Sequence, residues 1–340
     1  MKERKAMDAK ITKQRLSRML SYDWVKMVVV AAALIVAWVL IFTMTATRIT
    51  PAQQYSVFNY KGNRAWQFTD FISTYQDAYD RDIFSHEVLE ATTYDLSTVG
   101  SDMHTVLQSR LETDEGDAIF VSKEFDPDTA YETEEGEIEY AYTYLETFIV
   151  RYGYYLYDIN EYIAYMQSYL NGYFVGGYAE GTLDEVKVEV DFRAREKKDK
   201  RFKTEKQKKA GILKDIERMH KYRDALVQFE EYLKSGIIAL EYTTIIGENE
   251  DGEQETWVDN VAYSINLCPT EATSGLKKYT SYLKTVVNDE GKEQKVISAE
   301  NMQLCLFKLG GVNKNFVGEN LIFINEMVDL SLKATAAEQA

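Results

Sequence analysis

The sequence predicts an α/β protein: one apolar N-terminal helix, then a water-soluble body in which strands alternate with helices. Three observations carry this. The run MVVVAAALIVAWVLIFTMTAT, residues 27–47, contains no charged residue. From Gln54 to Ser122, short β-branched and aromatic segments alternate with stretches whose apolar residues recur at spacings of three and four. The composition, 45% hydrophobic and 28% charged with 3 prolines, is that of a globular chain and excludes wholesale disorder.

The apolar run comes first. As a helix it spans about 31 Å at roughly 1.5 Å per residue, the thickness of a hydrocarbon core. Its flanks differ in charge. Residues 1–26 form a basic tail that includes Lys2, Arg4, Lys5, Arg15, Arg18 and Lys26, whereas the far side offers Arg48, Lys61 and Arg64. The excess of positive charge predicts a cytoplasmic N-terminus and an extracytoplasmic body in a single-pass cell-membrane protein. Tyr22 and Trp24 stand where interfacial aromatics belong. The long basic region and the poor exit sequence Thr45-Ala46-Thr47 predict an uncleaved signal anchor at 27–47. Ile11–Leu20 reads either as a short amphipathic helix on anionic lipid or as a tail that only sets topology.

The body is expected over residues 48–333, with sheet-containing parts at 48–130 and 238–333 and a mainly helical part at 131–237. Gln54–Tyr60 reads as a strand, Phe68–Tyr79 as a helix and His86–Leu96 as a second strand. Ser101 is a candidate N-cap for a helix carrying Val106, Leu107 and Leu111, which Gly116 ends. Asp117–Ser122 then reads as a buried third strand. Strands and helices in this order predict a parallel sheet covered on both faces.

Gly136–Tyr178 is tyrosine-rich. Leu145, Phe148, Tyr152, Tyr155, Ile159, Ile163, Met166 and Leu170 mark one apolar stripe, the pattern of an amphipathic helix pair. Residues 193–223 are the most basic part of an otherwise acidic chain. They read either as a docking face for an anionic surface or as a solvated helix laced by pairs such as Asp215–Arg218 and Glu217–Lys221. Ile212, Ile216, Met219, Tyr222, Leu226, Phe229 and Leu233 give that segment a buried side ending near Gly236. Ile237–Ile246 and Thr256–Leu267 read as a hairpin, Leu276–Val286 as a helix, Met302–Leu309 as a strand and Phe316–Leu332 as a closing helix. The tail 334–340 is expected to fray.

A net charge of -16 opposes nucleic-acid binding. Cys268 and Cys305 are too few for a disulfide framework and read either as one bridge or as two small buried hydrophobes. His86, His104 and His220 lack zinc-site spacing, and no G-x-S-x-G, P-loop or G-x-G-x-x-G occurs. Asp126, Asp128, Glu132 and Glu137 resemble a calcium loop, but Tyr131 stands where its sharp turn needs glycine. No catalytic residue, metal or cofactor is expected, and the chain does not read as an enzyme.

The stretch TVLQSRLETDEGDAIFVSKE (Thr105–Glu124), followed later by YSINL, QLCLFKL and ENLIFINEMVDL, resembles type 1 extracellular solute-binding proteins. There, a helix leads through Gly-Asp into a short strand ending at the interlobe cleft, and a return strand and closing helix come late. The nearest likeness is to degenerate, membrane-tethered members in clostridia-like Gram-positive bacteria. The resemblance implies a two-lobed, periplasmic-binding-like body with a large helical portion and no enzymatic activity. Ligands would sit at the carboxyl ends of the strands, between lobes. The positions so placed are Tyr60, Asn63, Arg64 and Trp66 after the first strand, and Lys123 and Glu124 after the third. Two functions follow as expectations: capture of a small solute, or docking of an envelope protein partner.

Overall fold

The computed structural model describes residues 24–45, 53–63, 84–133, 138–249, 251–287, 291–308 and 318–339, with single positions 13, 14, 17 and 136. The chain divides into two units, Met1–Arg48 and Ile49–Ala340. The first contains helix α1, Trp24–Thr45, whose described side chains are all exposed. By length and composition α1 is sufficient to cross a membrane. Its side chains carry no polar face, and an all-round apolar surface of this kind suits hydrocarbon better than water.

The second unit is built on one six-stranded sheet. Strands β1 (Gln54–Asn59), β2 (Glu90–Asp95) and β3 (Ala118–Val121) are mutually parallel, with β1 in the middle. Helix α2 (Met103–Glu112) lies between β2 and β3 in the chain, as expected of a crossover connection. Asp102, not Ser101, occupies its N-cap, without a side-chain bond to the helix. The segment read as the preceding helix, Phe68–Tyr79, lies outside the described residues, as do Arg64 and Trp66.

The chain then departs from the expected layout. Strands β4 (Ala130–Glu132) and β5 (Ile138–Tyr140) form a small exposed hairpin where the tyrosine-rich region was expected to begin as helix. Helices α3 (Tyr144–Tyr152) and α4 (Ile159–Asn171) follow. Thr143 and Glu146 cap α3 reciprocally, each side chain bonding the other's backbone N–H, which fixes where that helix starts. A two-residue ladder of β6 (Phe174–Val175) and β7 (Thr182–Leu183) encloses Gly176 and Gly177, both left-handed. Helix α5 (Glu185–Arg195) and the 31-residue α6 (Glu205–Ser235) complete the helical middle. Gly236 ends α6 in the left-handed conformation, where a side chain is costly.

Strands β8 (Ala239–Glu248) and β9 (Gln254–Asn266) make the expected long hairpin. The segment read as helical over Leu276–Val286 is instead a short 3-10 stretch, Glu271–Lys278, then strand β10 (Tyr282–Val287), paired with β11 (Glu293–Ser298). Cover alternates along all six residues from Tyr282 to Val287, the period of two that pairing with β11 imposes on a segment too short to declare itself. Strand β12 (Gln303–Leu306) then inserts antiparallel between β3 and β9, giving the order β2-β1-β3-β12-β9-β8. The sheet is therefore mixed, parallel on the β1–β3 side only. Helix α7 closes the chain over Glu319–Gln339 and runs through the tail expected to fray. Ala334 and Thr335 are buried there, and Thr335 Oγ1 accepts the Gly275 N–H at 2.8 Å. A Cβ on Gly275 would collide with backbone atoms of Ser331 and Thr335, so only glycine lets α7 approach this closely.

Alternation along the central strands sorts the core into two layers. Tyr55, Val57, Ala118, Phe120, Leu304 and Leu306 face one side, packed on α4, α6 and α7. Phe58, Ile119, Val121 and Cys305 face the other, packed on α2 and α3 through Leu107, Leu111, Phe148 and Tyr152. On α6, Met219, Tyr222, Leu226 and Phe229 are buried as their spacing predicts. Each such side chain contributes on the order of 1.5–3 kcal/mol relative to exposure. Cys268 and Cys305 are both buried and free, and they belong to opposite layers, so the sheet itself separates them.

Candidate functional site

Among the described residues, two polar clusters bear on the readings of the sequence. The first is the carboxyl end of β1 and β3, where solute ligands were expected. Tyr60 is fully buried there, its ring edge-on to Phe148 at 5.0 Å. Its hydroxyl is enclosed without a hydrogen-bond partner, and burial pushes its pKa up. Asn63 Nδ2 donates to Asn59 Oδ1 at 2.9 Å and to the Phe120 carbonyl at 3.0 Å, while Asn63 bridges to Tyr282. Thr280 Oγ1 donates a second hydrogen bond to the same Asn59 oxygen at 3.2 Å. The segment leading into β10 thus lies across the end of β1, and the chain's own side chains fill the position.

Lys123 and Glu124 turn elsewhere. Lys123 Nζ pairs with Glu241 Oε1 of β8 at 2.6 Å. Glu124 is half-buried, which raises its pKa, with Lys284 and Glu300 as its nearest charged influences. The four described candidates thus engage α3, β10, β8 and the β10–β11 side respectively, rather than converging on one group.

Lys61 was not singled out by the sequence, yet it organises this end. Its Nζ lies 2.9 Å from the buried Asp126 carboxylate and 2.8 Å from Asp128, 5.5 Å above the Tyr144 ring. These are two of the four carboxylates that stand at calcium-loop offsets. An ammonium group occupies them, and Asp126 also caps the short turn at Pro127–Thr129. Glu132 lies in β4, and Glu137 is outside the described residues.

The second place lies beneath the basic segment. Ser85, His86 and Glu87 lead toward β2. Arg195 and Glu196 end α5, Asp199 and Arg201 lie in the turn that follows, and Asp215 and Arg218 share one face of α6. Asp215 Oδ1 accepts from Arg195 Nη2 at 2.9 Å and Arg218 Nη2 at 2.8 Å. Glu87 accepts from Arg195 at 3.4 Å and from Arg201 at 3.3 Å, and lies 3.1 Å from His86 Nε2. Arg195 also holds Glu196 at 2.7 Å, and Arg201 holds Asp199 at 2.8 Å. Burial disfavours the Glu87 carboxylate, but His86, Arg218 and Arg195 outweigh it, and its pKa falls to about 2. Glu196 goes the other way, raised by burial against its bond to Arg195.

His86, Glu87 and Asp215 offer ligand atoms within 4.8 Å of one another. Such a set invites a metal, but the carboxylates already carry guanidinium donors, and a divalent ion would have to displace them. The constellation fits an ionic network better than a metal centre. It also explains the basic segment in part. Arg195, Arg201 and Arg218 turn inward onto acidic partners, while Lys203, Lys206, Lys209 and Lys214 stay exposed. Sequence reasoning found the Asp215–Arg218 pair from its spacing. It missed Glu87, whose partners Arg195 and Arg201 are 108 and 114 positions away and which carries no local signal.

No family model, curated protein or solved structure matches the chain.

Proposed function

We propose that the chain is a membrane-anchored, extracytoplasmic, non-catalytic binding module of the solute-binding type of fold, and that it docks a protein of the cell envelope rather than a small solute. The membrane part rests on α1. The fold part is supported by adjacency: the segments that carry the resemblance are α2–β3, the end of β9, β12 and α7, and β3, β12 and β9 are neighbours in the sheet. A second lobe facing the sheet across a cleft is what the resemblance implies. The described residues hold one six-stranded sheet and three two-stranded ladders, with the helical middle inserted between β3 and β8.

The observation that carries the docking reading is the filled end of β1. Tyr60 and Asn63 are 0% and 7% exposed, and Asn59 and Thr280 are fully buried with them. A solute entering there would displace β10 and break the Asn63 bonds. Apolar side chains project instead from the hairpins, among them Ile138 on β5, Trp257 on β9 and Val287 on β10. Aromatic and aliphatic groups of this kind anchor protein interfaces.

Thermal-shift screening with amino acids, sugars and peptides, run beside photo-crosslinking from Trp257, Ile138 and Val287 in native membranes, tests this. Docking predicts an unchanged Tm and one recurring crosslinked protein at near-equal stoichiometry. A solute that raises Tm by several degrees, with no crosslinked species, would return the function to capture.

A further inference from the structure

We infer that the recess between His86 and helix α6 is a binding site for a small tetrahedral oxyanion, phosphate or sulfate. It is lined by Ser85, His86, Lys214, Glu217, Arg218 and Lys221, and its volume is about 30 Å³. That is two to three times the roughly 10–15 Å³ that one water needs, room for a compact multi-oxygen group.

Charge selects an anion. Three cationic side chains meet one carboxylate on the lining, and that carboxylate, Glu217, is largely exposed and 3.7 Å from Lys221 Nζ. The acidic groups behind the recess are already matched. Asp215 holds Arg195 and Arg218, and Glu87 holds Arg195 and Arg201.

Two inward-facing groups supply the observation independent of charge. Arg218 is 2% exposed, and its Nη2 is committed to Asp215. Its Nε is buried with no hydrogen-bond partner among the described residues. The His86 side chain is 8% exposed, and its Nδ1 is likewise buried and unpartnered. A buried polar group left unpaired costs about 1–3 kcal/mol, and two beside one recess mark a place for a partner. An oxyanion answers both. Its oxygens accept from Arg218 Nε, from His86 Nδ1 when protonated there, and from the Lys214 and Lys221 ammonium groups on the lining. Guanidinium and ammonium donors around one tetrahedral group are the usual means of phosphate recognition.

The site is independent of the docking reading, because it faces α6 rather than the hairpins, and either may fall without the other. The experiment uses the full chain in detergent. Inorganic phosphate, sulfate and glycerol phosphate are titrated calorimetrically and by thermal shift, against chloride at matched ionic strength. Titrating the first and third separately distinguishes a free oxyanion from one carried on an organic group. The expected result is saturable stabilisation by phosphate or sulfate but not by chloride, with Kd raised about tenfold in Lys214→Gln and again in Lys221→Gln. Lys214 is exposed, and Lys221, whose Nζ also reaches the Phe84 carbonyl at 3.4 Å, is outside the Arg195–Asp215–Arg218 contacts, so both variants keep that buried network. Absence of saturable binding by all three oxyanions overturns the site. So does binding that both lysine variants leave unchanged, since the anion would then sit elsewhere.

Discussion

Arg218 Nη2 lies 2.8 Å from Asp215 Oδ1, one helical turn away, and both side chains are almost wholly buried. A pair at this spacing on a solvated helix contributes a few tenths of a kcal/mol. Here it is the inner end of a network that reaches Arg195, Glu87 and Arg201, and it ties α6 to α5 and to the segment before β2. Breaking such a pair leaves an uncompensated buried charge. Asp215→Ala is expected to lower unfolding free energy by about 3–5 kcal/mol, measured by urea denaturation, whereas the double variant Asp215→Leu/Arg218→Met should recover a large part of that loss. Equal losses in the single and double variants would mean that the two side chains do not act as a pair.

Two buried carboxyls give the body opposite pH terms. Asp117 is raised to about 8, by burial first, offset in part by the Ser56 N–H at 2.7 Å, with Glu319 adding to the rise. A raised acid binds its proton more tightly when folded, so its contribution is fully present below pH 4 and is lost as pH climbs toward 8. Glu87, lowered to about 2, contributes above pH 4.5 and is lost as pH falls through 2. Asp117→Asn should therefore gain Tm over the parent progressively from pH 4 to pH 8. Glu87→Gln should lose Tm at neutral pH and converge with the parent near pH 2. Tm followed across pH 2–9 checks both; pH-independent differences would contradict the assignments.

Tyr60 offers a direct test of the filled strand end. Its hydroxyl is buried with no partner among the described residues, so Tyr60→Phe removes a polar atom and leaves the Phe148 contact intact. The variant should be more stable by about 1 kcal/mol in urea denaturation. A loss of that size would show that the hydroxyl serves a bond of its own, as a ligand contact would.

The C-terminal turn of α7 is predicted to be structural. Truncation after Lys333 removes buried Ala334 and Thr335, the Gly275–Thr335 bond, and the Glu338 carboxylate 2.8 Å from Lys277. A loss of about 1–3 kcal/mol is expected, read by the same denaturation. No change in stability would return this segment to the frayed tail its composition suggests.

Much of this body is legible in the sequence where one periodicity dominates. The strand at Gln54, the strand at Ala118, the α6 stripe from Ile212 to Leu233, its stop at Gly236 and the β8–β9 hairpin all follow from local spacing and turn chemistry. The errors arise where the local pattern is short or its partner is distant. Tyr282–Val287 is only six residues long, and it is a strand because β11 pairs with it. The tail 334–340 has small residues that look unpackable until Gly275 makes room for them. Mixed strand direction depends on β12 entering between β3 and β9, which no window of sequence reveals. The same holds for polar sites. Residues placed by strand ends, Tyr60 and Asn63, are where expected in the chain but inside the core. Lys61 organises its surroundings through Asp126, 65 positions away at 2.9 Å, and Glu87 through Arg195 and Arg201, 108 and 114 positions away.

The proposed function requires the body to lie outside the cytoplasm, and cysteine accessibility tests this directly. Cys268 and Cys305 are 3% and 0% exposed and should stay silent toward a membrane-impermeant maleimide, whereas Tyr154 is 92% exposed. In intact cells Tyr154→Cys should label as fully as in lysed cells, with the parent chain unlabelled in both. Labelling of Tyr154→Cys only after lysis would place the body in the cytoplasm and contradict the account.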